Sequence, residues 1–228
     1  AGASRVGIVY VNVPSEANGI PLLRRELARE GVTVVDEAPV EAAEEAVTNM
    51  DSIIVRMRAR GADGMVATNP VLLIYGRLAA ARQGWNTAPW VGPAAWSRLV
   101  ETSCARTCDD LVLTDTAGLS FVDRPTPQMR EYRDVLARRY PGGELTGHTL
   151  AGWVGMQLFS HVFATTGPDR AAFLAAMNRI SNLDLGTTSP LTFTPDRHLG
   201  GSASVLLRLK GGKFVAVSGP LSFGEATP

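Results

Sequence analysis

Residues 5–27 read RVGIVYVNVPSEANGIPLLRREL, and this stretch decides the fold. Val6 to Val11 is a continuous apolar run, as a strand covered on both faces of its sheet requires. A short polar loop, Asn12 to Gly19, follows. Ile20, Leu23 and Leu27 then recur at helical spacing, with Pro21 in the first turn, where its missing N–H does little harm. Strand, loop and amphipathic helix make one α/β unit, and the chain repeats that unit up to about Asp115.

Gly31 ends the first helix and Val32 to Val35 reads as the second strand. Thr48-x-x-Asp51 resembles a capping box, and Met50, Ile53, Ile54 and Met57 mark the buried face of the second helix. Gly61 stops it, and Gly64 to Thr68 is the third strand. Asn69-Pro70 combines an N-cap residue with proline at the first helical position, so a third helix runs from there to Gly84. Pro89 to Val91 is a fourth strand, Gly92-Pro93 opens a fourth helix, and Leu111 to Thr114 is a fifth strand. This alternation predicts an open parallel sheet with helices on both faces. Right-handed crossovers then bring Asn12–Gly19, Ala38–Thr48, Thr68–Pro70 and Gly92–Trp96 to one edge, at the carboxyl ends of the strands, where such sheets bind ligands.

The pattern changes after Asp115. Residues 116–127 are irregular. One helix carries Met129, Tyr132, Leu136 and Tyr140 on a face and ends at Pro141-Gly142-Gly143. Thr149 to Thr166 is a long apolar helix, and Asp169 to Ile180 is a third. No strand separates these helices, so residues 116–182 bring no sheet of their own. Pro190 to Thr194 reads as a short strand, Ser204 to Leu209 and Lys213 to Val217 as a hairpin about Lys210-Gly211-Gly212, and the tail after Gly219 as loose. Leu145 to Pro168 holds no charged residue. Gln157, Ser160, His161 and the glycines at 152 and 155 nevertheless make it too polar for a membrane span, and it reads as a buried helix.

The 22 basic and 22 acidic residues cancel, which disfavours nucleic acid and anionic lipid as partners. The start, Ala1-Gly2-Ala3-Ser4, has neither the basic nor the apolar region of a signal peptide; an exported protein would look the same after processing. Cys104 and Cys108 are spaced to share a helix face, so a local disulfide is favoured over two buried thiols, and it would imply an oxidising compartment. The histidines are remote from that pair, and no metal site is expected.

Nucleophilic catalysis lacks its signatures, since no Gly-x-Ser-x-Gly occurs. His148 and His161 point in different directions from one helix, and His198 lies in a turn. Each reads as a surface or structural histidine rather than a base. Asn12–Gly19 has one glycine and neither Walker nor Rossmann spacing, so no nucleotide or other cofactor is expected. Asp63, Asp109 and Asp110 precede strands and read as turn residues on the opposite edge. The acidic run Glu37 to Glu45 reads as a solvated loop, with selection of a cationic ligand as the alternative. Residues able to orient a small molecule without reacting with it are Asn12, Ser15, Asn18, Asn69, Tyr75 and Trp96. Asn18 and Asn69 also suit helix caps, and capping does not exclude ligand contact.

Three stretches together carry a resemblance. They are the opening unit with Asn18-Gly19 before Ile20, then Asn69–Gly84 leading to Trp90-Val91-Gly92-Pro93, and then Pro190-Leu-Thr-Phe-Thr-Pro-Asp-Arg-His198 followed by Leu206 to Val217. The chain resembles the type I solute-binding proteins of ABC importers, in the branch that binds leucine, isoleucine, valine and related molecules. The resemblance implies two α/β lobes around a hinge, with ligand trapped in the cleft. It implies that residues 1–117 are a carboxyl-terminal-type lobe, 118–200 a partial, mostly helical amino-terminal-type lobe, and 201–228 return strands and tail. The first half of such a chain is then absent. The helices at Met129–Tyr140 and Leu150–Val162 would either drive self-association or fold onto the first sheet. By position, Asn18 stands where the family often has an aromatic residue, and Asn69 lies in a ligand-facing loop. Ala94 stands where amino-acid binders can have a glutamate for the α-ammonium group. Alanine makes no ion pair, which leaves that charge to Glu16 or to the absent part.

The resemblance implies extracytoplasmic, non-catalytic binding of a small polar solute, an amino acid or related compound, and an ABC permease in the membrane as partner. The alternative is a ligand-sensing domain of a receptor or regulator with the same fold. A flavodoxin-like enzyme would need a catalytic constellation that these residues do not supply.

Overall fold

A computed structural model describes residues 2–42, 46–86, 90–93, 105–115, 126–143, 145–201, 203–211 and 213–222. The chain divides into two compact units, Ala1–Thr114 with Leu207–Val215, and Asp115–Leu206 with Ala216–Pro228.

The first unit is built on β1 (Arg5–Val11), whose Val6, Ile8, Val9 and Val11 are buried. A short helix α1 (Pro14–Ala17) and then α2 (Ile20–Arg29) lead to β2 (Thr33–Val40). Next come α3 (Ala46–Ala59), β3 (Gly64–Ala67), α4 (Pro70–Arg82) and β4 (Trp90–Pro93). A 3₁₀ turn (Ala105–Cys108) precedes β5 (Val112–Asp115). The hairpin strands β6 (Ala203–Lys210) and β7 (Lys213–Ala216) complete the sheet, whose order is β2-β1-β3-β4-β5-β6-β7. The ladders from β2 through β5 are parallel. This is the doubly covered parallel sheet that the alternating pattern requires.

Helices seat on this sheet through matched apolar faces. Met50, Ile53, Ile54 and Met57 of α3 are buried, as their spacing predicts, and a fully buried side chain of this size contributes roughly 2–3 kcal/mol. Gly7 makes the approach of α3 possible, because a Cβ there would stand 2.3 Å from Met57 Sδ. Helix α4 begins as its sequence signal requires, with the Asn69 side chain accepting from Val71 N and proline in the first turn.

Several elements depart from expectation. The second strand extends to Val40 instead of ending at Val35, so Glu37 to Val40 are not loop. Its polar half is tolerated because β2 is the edge strand. Val40 O accepts from Asn12 N, so neighbouring Pro39 turns its nitrogen away from the ladder, where no donor is needed. Asp36 is buried and bound by Arg56 Nε at 2.8 Å and by Arg60 Nη1. Thr48 lies inside α3, at its third residue, and Asp51 pairs with Arg82 at 2.7 Å. Gly92 and Pro93 belong to β4, and Pro93 pairs with Thr114. Cys108 is buried and disulfide-bonded, while Cys104, the chain's other cysteine, lies outside the described residues.

The second unit is mainly helical. Helix α5 (Pro127–Arg139) is capped by Thr126, whose hydroxyl accepts from Met129 N and donates to Gly186 O at 2.7 Å. Helix α6 (Gly147–Thr166) opens with a reciprocal capping box between Thr146 and Thr149. Helix α7 (Arg170–Met177) is capped by Asp169. Met129, Tyr132 and Leu150 form its core, with Leu136, Leu145, Trp153 and Val154 packed around them. Tyr140 is not on the buried face: it sits at the cap of α5, 66% exposed.

Helix α6 is not buried either. Gly147, Leu150 and Val162 are buried and Trp153 and Val154 partly so, but Met156, Phe159 and Phe163 are exposed. No helix among the described residues is long and apolar enough to cross a membrane. Pro190 to Thr194 forms no strand; Leu183 bridges Leu191 and Thr194 bridges Arg197 singly. The tail after Gly219 is not loose throughout, because β8 (Leu221–Ser222) pairs antiparallel with Ala203 and Ser204.

Candidate functional site

Parallel strands all end on the same edge, so the first unit gathers there the loops that leave β1, β2 and β3. The first of these is only partly irregular. Val13 and Pro14 start α1, whose four residues carry Glu16 inward and leave Ser15 exposed. Asn18 caps the end of α1 and is exposed. Asn12 is exposed too, and its amide donates to Glu41 Oε1 at 3.1 Å, which joins the first loop to the end of β2.

The third loop meets the first through one carboxylate. Glu16 Oε2 accepts from Val11 N at 2.9 Å and from the Thr68 hydroxyl, and its Oε1 accepts from Asn69 Nδ2 at 3.4 Å. Asn69 Oδ1 is occupied by Val71 N at 2.9 Å, so its amide is oriented by the cap on one side and by Glu16 on the other. Gly92 leaves room behind this edge. A Cβ there would meet Leu73 Cδ2 at 2.9 Å and Ala67 O at 3.1 Å.

Of the residues singled out in the sequence, Asn12, Ser15, Asn18 and Asn69 lie on this edge. Tyr75 does not. It is half-buried on α4, six residues beyond Asn69 or about 9 Å along the helix axis. Ala94 and Trp96 lie outside the described residues. Thr68 and Glu41 escaped the sequence reading, and Glu16 entered it only as a carrier of charge. No local pattern marks them, because their partners lie 52 and 29 residues away.

The edge offers amides, hydroxyls and engaged carboxylates. A solute can be held by such groups. Among the described residues no three His, Cys, Asp or Glu side chains group to hold a metal. Two shallow clefts flank the exposed edge of β2, and the larger reaches Glu41 at the end of that strand. One, about 480 Å³, is lined by Asp36, Pro39, Asn49, Ser52, Arg56 and Arg60. The other, about 350 Å³, is lined by Arg24, Ala28, Thr33 and Glu37. Their charges are spent on each other: Arg24 pairs with Glu37 at 2.7 Å, and both Asp36 oxygens are held by arginines. They are structural ion pairs on a protected edge, not a ligand constellation.

The charged groups with displaced pKa values also lie apart from the loops. Hydrogen bonding from Arg82 holds Asp51 below the usual carboxylate range. Burial pushes the Asp63 carboxyl up, but hydrogen bonds from Ser4 and Arg5 outweigh it and leave it low. Desolvation lowers Arg77, which is buried in α4 and donates to Asn86 Oδ1 at 3.0 Å. These are properties of the scaffold.

Comparison with known proteins agrees with this geometry. The family model for periplasmic binding proteins matches residues 1–213. No curated protein sequence matches the chain at a significant level. Among solved structures, a branched-chain amino acid ABC transporter protein from Thermus thermophilus with bound valine superposes with a TM-score of 0.79 at 16% identity, covering 96% of this chain and 61% of that one. A fatty acid ABC transporter substrate-binding protein from Thermomonospora curvata gives 0.79 at 16% identity, covering 96% and 58%. A solute-binding protein of an ABC transporter from R. palustris, in complex with 4-hydroxybenzoate, gives 0.75 at 16% identity, covering 97% and 60%. The chain therefore spans about three-fifths of the length of these structures.

Proposed function

The chain belongs to the periplasmic binding protein family, and from that premise we propose that it binds a small polar solute, an amino acid or related compound, for delivery to an ABC importer. Binding leaves the solute chemically unchanged. The loops at the carboxyl ends of β1 and β3 form one lip of the solute cleft, with Asn12, Ser15, Asn18 and Asn69 as its contacts. The carrying observation is that these amides and hydroxyls share one edge of a parallel sheet.

The same reading assigns residues 1–117 to a carboxyl-terminal-type lobe, 118–200 to part of an amino-terminal-type lobe, and 201–228 to the return strands and tail. It assigns the protein to the periplasm or the extracellular face of the cell membrane, and the disulfide at Cys108 supports an oxidising compartment. It assigns an ABC permease as macromolecular partner. Self-association of the 228-residue chain is supported by Met156, Phe159, Phe163 and Leu174, apolar and exposed on α6 and α7.

Isothermal titration of the chain with L-valine, 4-hydroxybenzoate and 3,4-dihydroxybenzoate tests the reading. The expected result is weak, saturable binding of at least one of them, because one lip supplies part of the contacts. Recovery of a chemically altered solute would overturn it.

A further inference from the structure

We infer that Glu16 is the positioning residue of this lip: its carboxylate ties the β1 loop to the β3 loop and so sets the placement of Asn18 against Asn69. The inference rests on the solute-binding reading of that edge.

The tie runs unbroken from the end of β1 to the first turn of α4. Val11 N and the Thr68 hydroxyl both donate to Glu16 Oε2, Asn69 Nδ2 donates to Oε1, and Asn69 Oδ1 accepts from Val71 N. Thr68 and Asn69 stand 52 and 53 residues from Glu16, so no local turn could hold these loops together. The chemistry selects glutamate. Only a carboxylate accepts at both ends of its fork, and an ionised acceptor makes the stronger hydrogen bonds. The short helix Pro14–Ala17 delivers it, because Glu16 N bonds to Val13 O at 3.0 Å and fixes the turn from which the side chain reaches back to β1. Two donors would otherwise lie at the strand ends without a protein acceptor. Every donor and acceptor of the tie belongs to this chain, so no solute group is needed to close it. The ordering cost is thereby removed from the binding step.

With three neutral donors on its carboxylate, Glu16 acts on the solute through Asn69 and Thr68. It also distinguishes this edge from a pair of independent loops. Ligand affinity should depend on Glu16 through these two neighbours.

Glu16→Ala, Glu16→Gln and Thr68→Val in the 228-residue chain test this. Amide hydrogen exchange, read without solute, should rise about tenfold at both Val11 and Val71 in Glu16→Ala, with Ile54 and Leu73 unchanged. Glu16→Gln keeps one accepting oxygen and should restore protection at Val11; Thr68→Val removes the other donor on that oxygen and should accelerate Val11 more than Val71. The dissociation constant of whichever of L-valine or 4-hydroxybenzoate binds should rise about tenfold in Glu16→Ala and recover only in part in Glu16→Gln, whose amide end cannot accept from Asn69. Unchanged exchange at Val71 in Glu16→Ala would overturn the tie, whatever happens to binding. A wild-type chain that binds no solute would overturn the lip reading, while the exchange data would still decide whether Glu16 joins the loops.

Discussion

Replacing Gly7 by alanine probes the packing on which the whole edge is built. A Cβ at this position would lie 2.3 Å from Met57 Sδ, 2.8 Å from Cε and 2.9 Å from Cγ. Neither partner can retreat easily. Gly7 is pinned in β1 opposite Asp36 on one side and Met65 on the other, and Met57 is fully buried. Methionine must therefore leave its rotamer, or α3 must lift from the sheet. Overpacking of this kind costs about 1–3 kcal/mol. Met57→Ala alone should cost about 2–5 kcal/mol through the cavity it leaves. In that background the alanine at position 7 fills part of the void and removes a strand glycine, so it should be neutral or stabilise by roughly 0.5–1 kcal/mol. The coupling between the two changes is then about 1–4 kcal/mol, measurable as a double-mutant cycle in urea followed by circular dichroism. If Gly7→Ala costs the same with Met57 present and absent, the close approach of α3 to β1 is not what requires the glycine.

Asp63→Asn should flatten the acid limb of stability. The folded carboxyl is depressed, so its contribution is present above the unfolded value of about 3.9 and is lost as pH falls through the folded one. The variant should cost about 1 kcal/mol at neutral pH and converge with wild type below about pH 4, by thermal melts across pH. Arg77→Met should change stability little, because relief of the desolvated charge is offset by the lost attraction to Asp110 and the lost bond to Asn86. Asn86→Ala should cost about 1 kcal/mol only while Arg77 remains, as calorimetry of the four combinations would read. Tyr132→Phe removes the 2.7 Å bond to Thr149 and should cost about 1 kcal/mol, since Thr149 keeps its bonds to Thr146.

What the sequence revealed follows from which forces are local. The apolar run of β1, the helical spacing of Met50 to Met57 and the Asn69-Pro70 start are each decided within a few residues, and each stands as read. The second half of β2 could not be read this way. Asp36 to Pro39 look like loop because the groups that make them a strand lie far off: Arg56 and Arg60 neutralise Asp36 from α3, and β1 supplies the ladder. The segment around Pro190 has β-type residues but no second strand to pair with, so it yields single bridges. Helix α6 looked buried because it lacks charge, yet Phe159 and Phe163 stack on each other in the open. In the site, Asn69 was legible as a cap from its own neighbours. Its attachment to Glu16 was not, because that contact exists only once β1 and β3 are side by side.

The most direct test of the solute-binding lip is where a bound solute acts. Amide chemical shifts of the 228-residue chain, followed during titration with L-valine and then with 4-hydroxybenzoate, locate it residue by residue. Saturable shifts concentrated at Asn12 to Gly19 and at Thr68 and Asn69 are the expected result. Shifts concentrated at Arg56 and Arg60 in the cleft beside β2, with the two loops silent, would contradict the account.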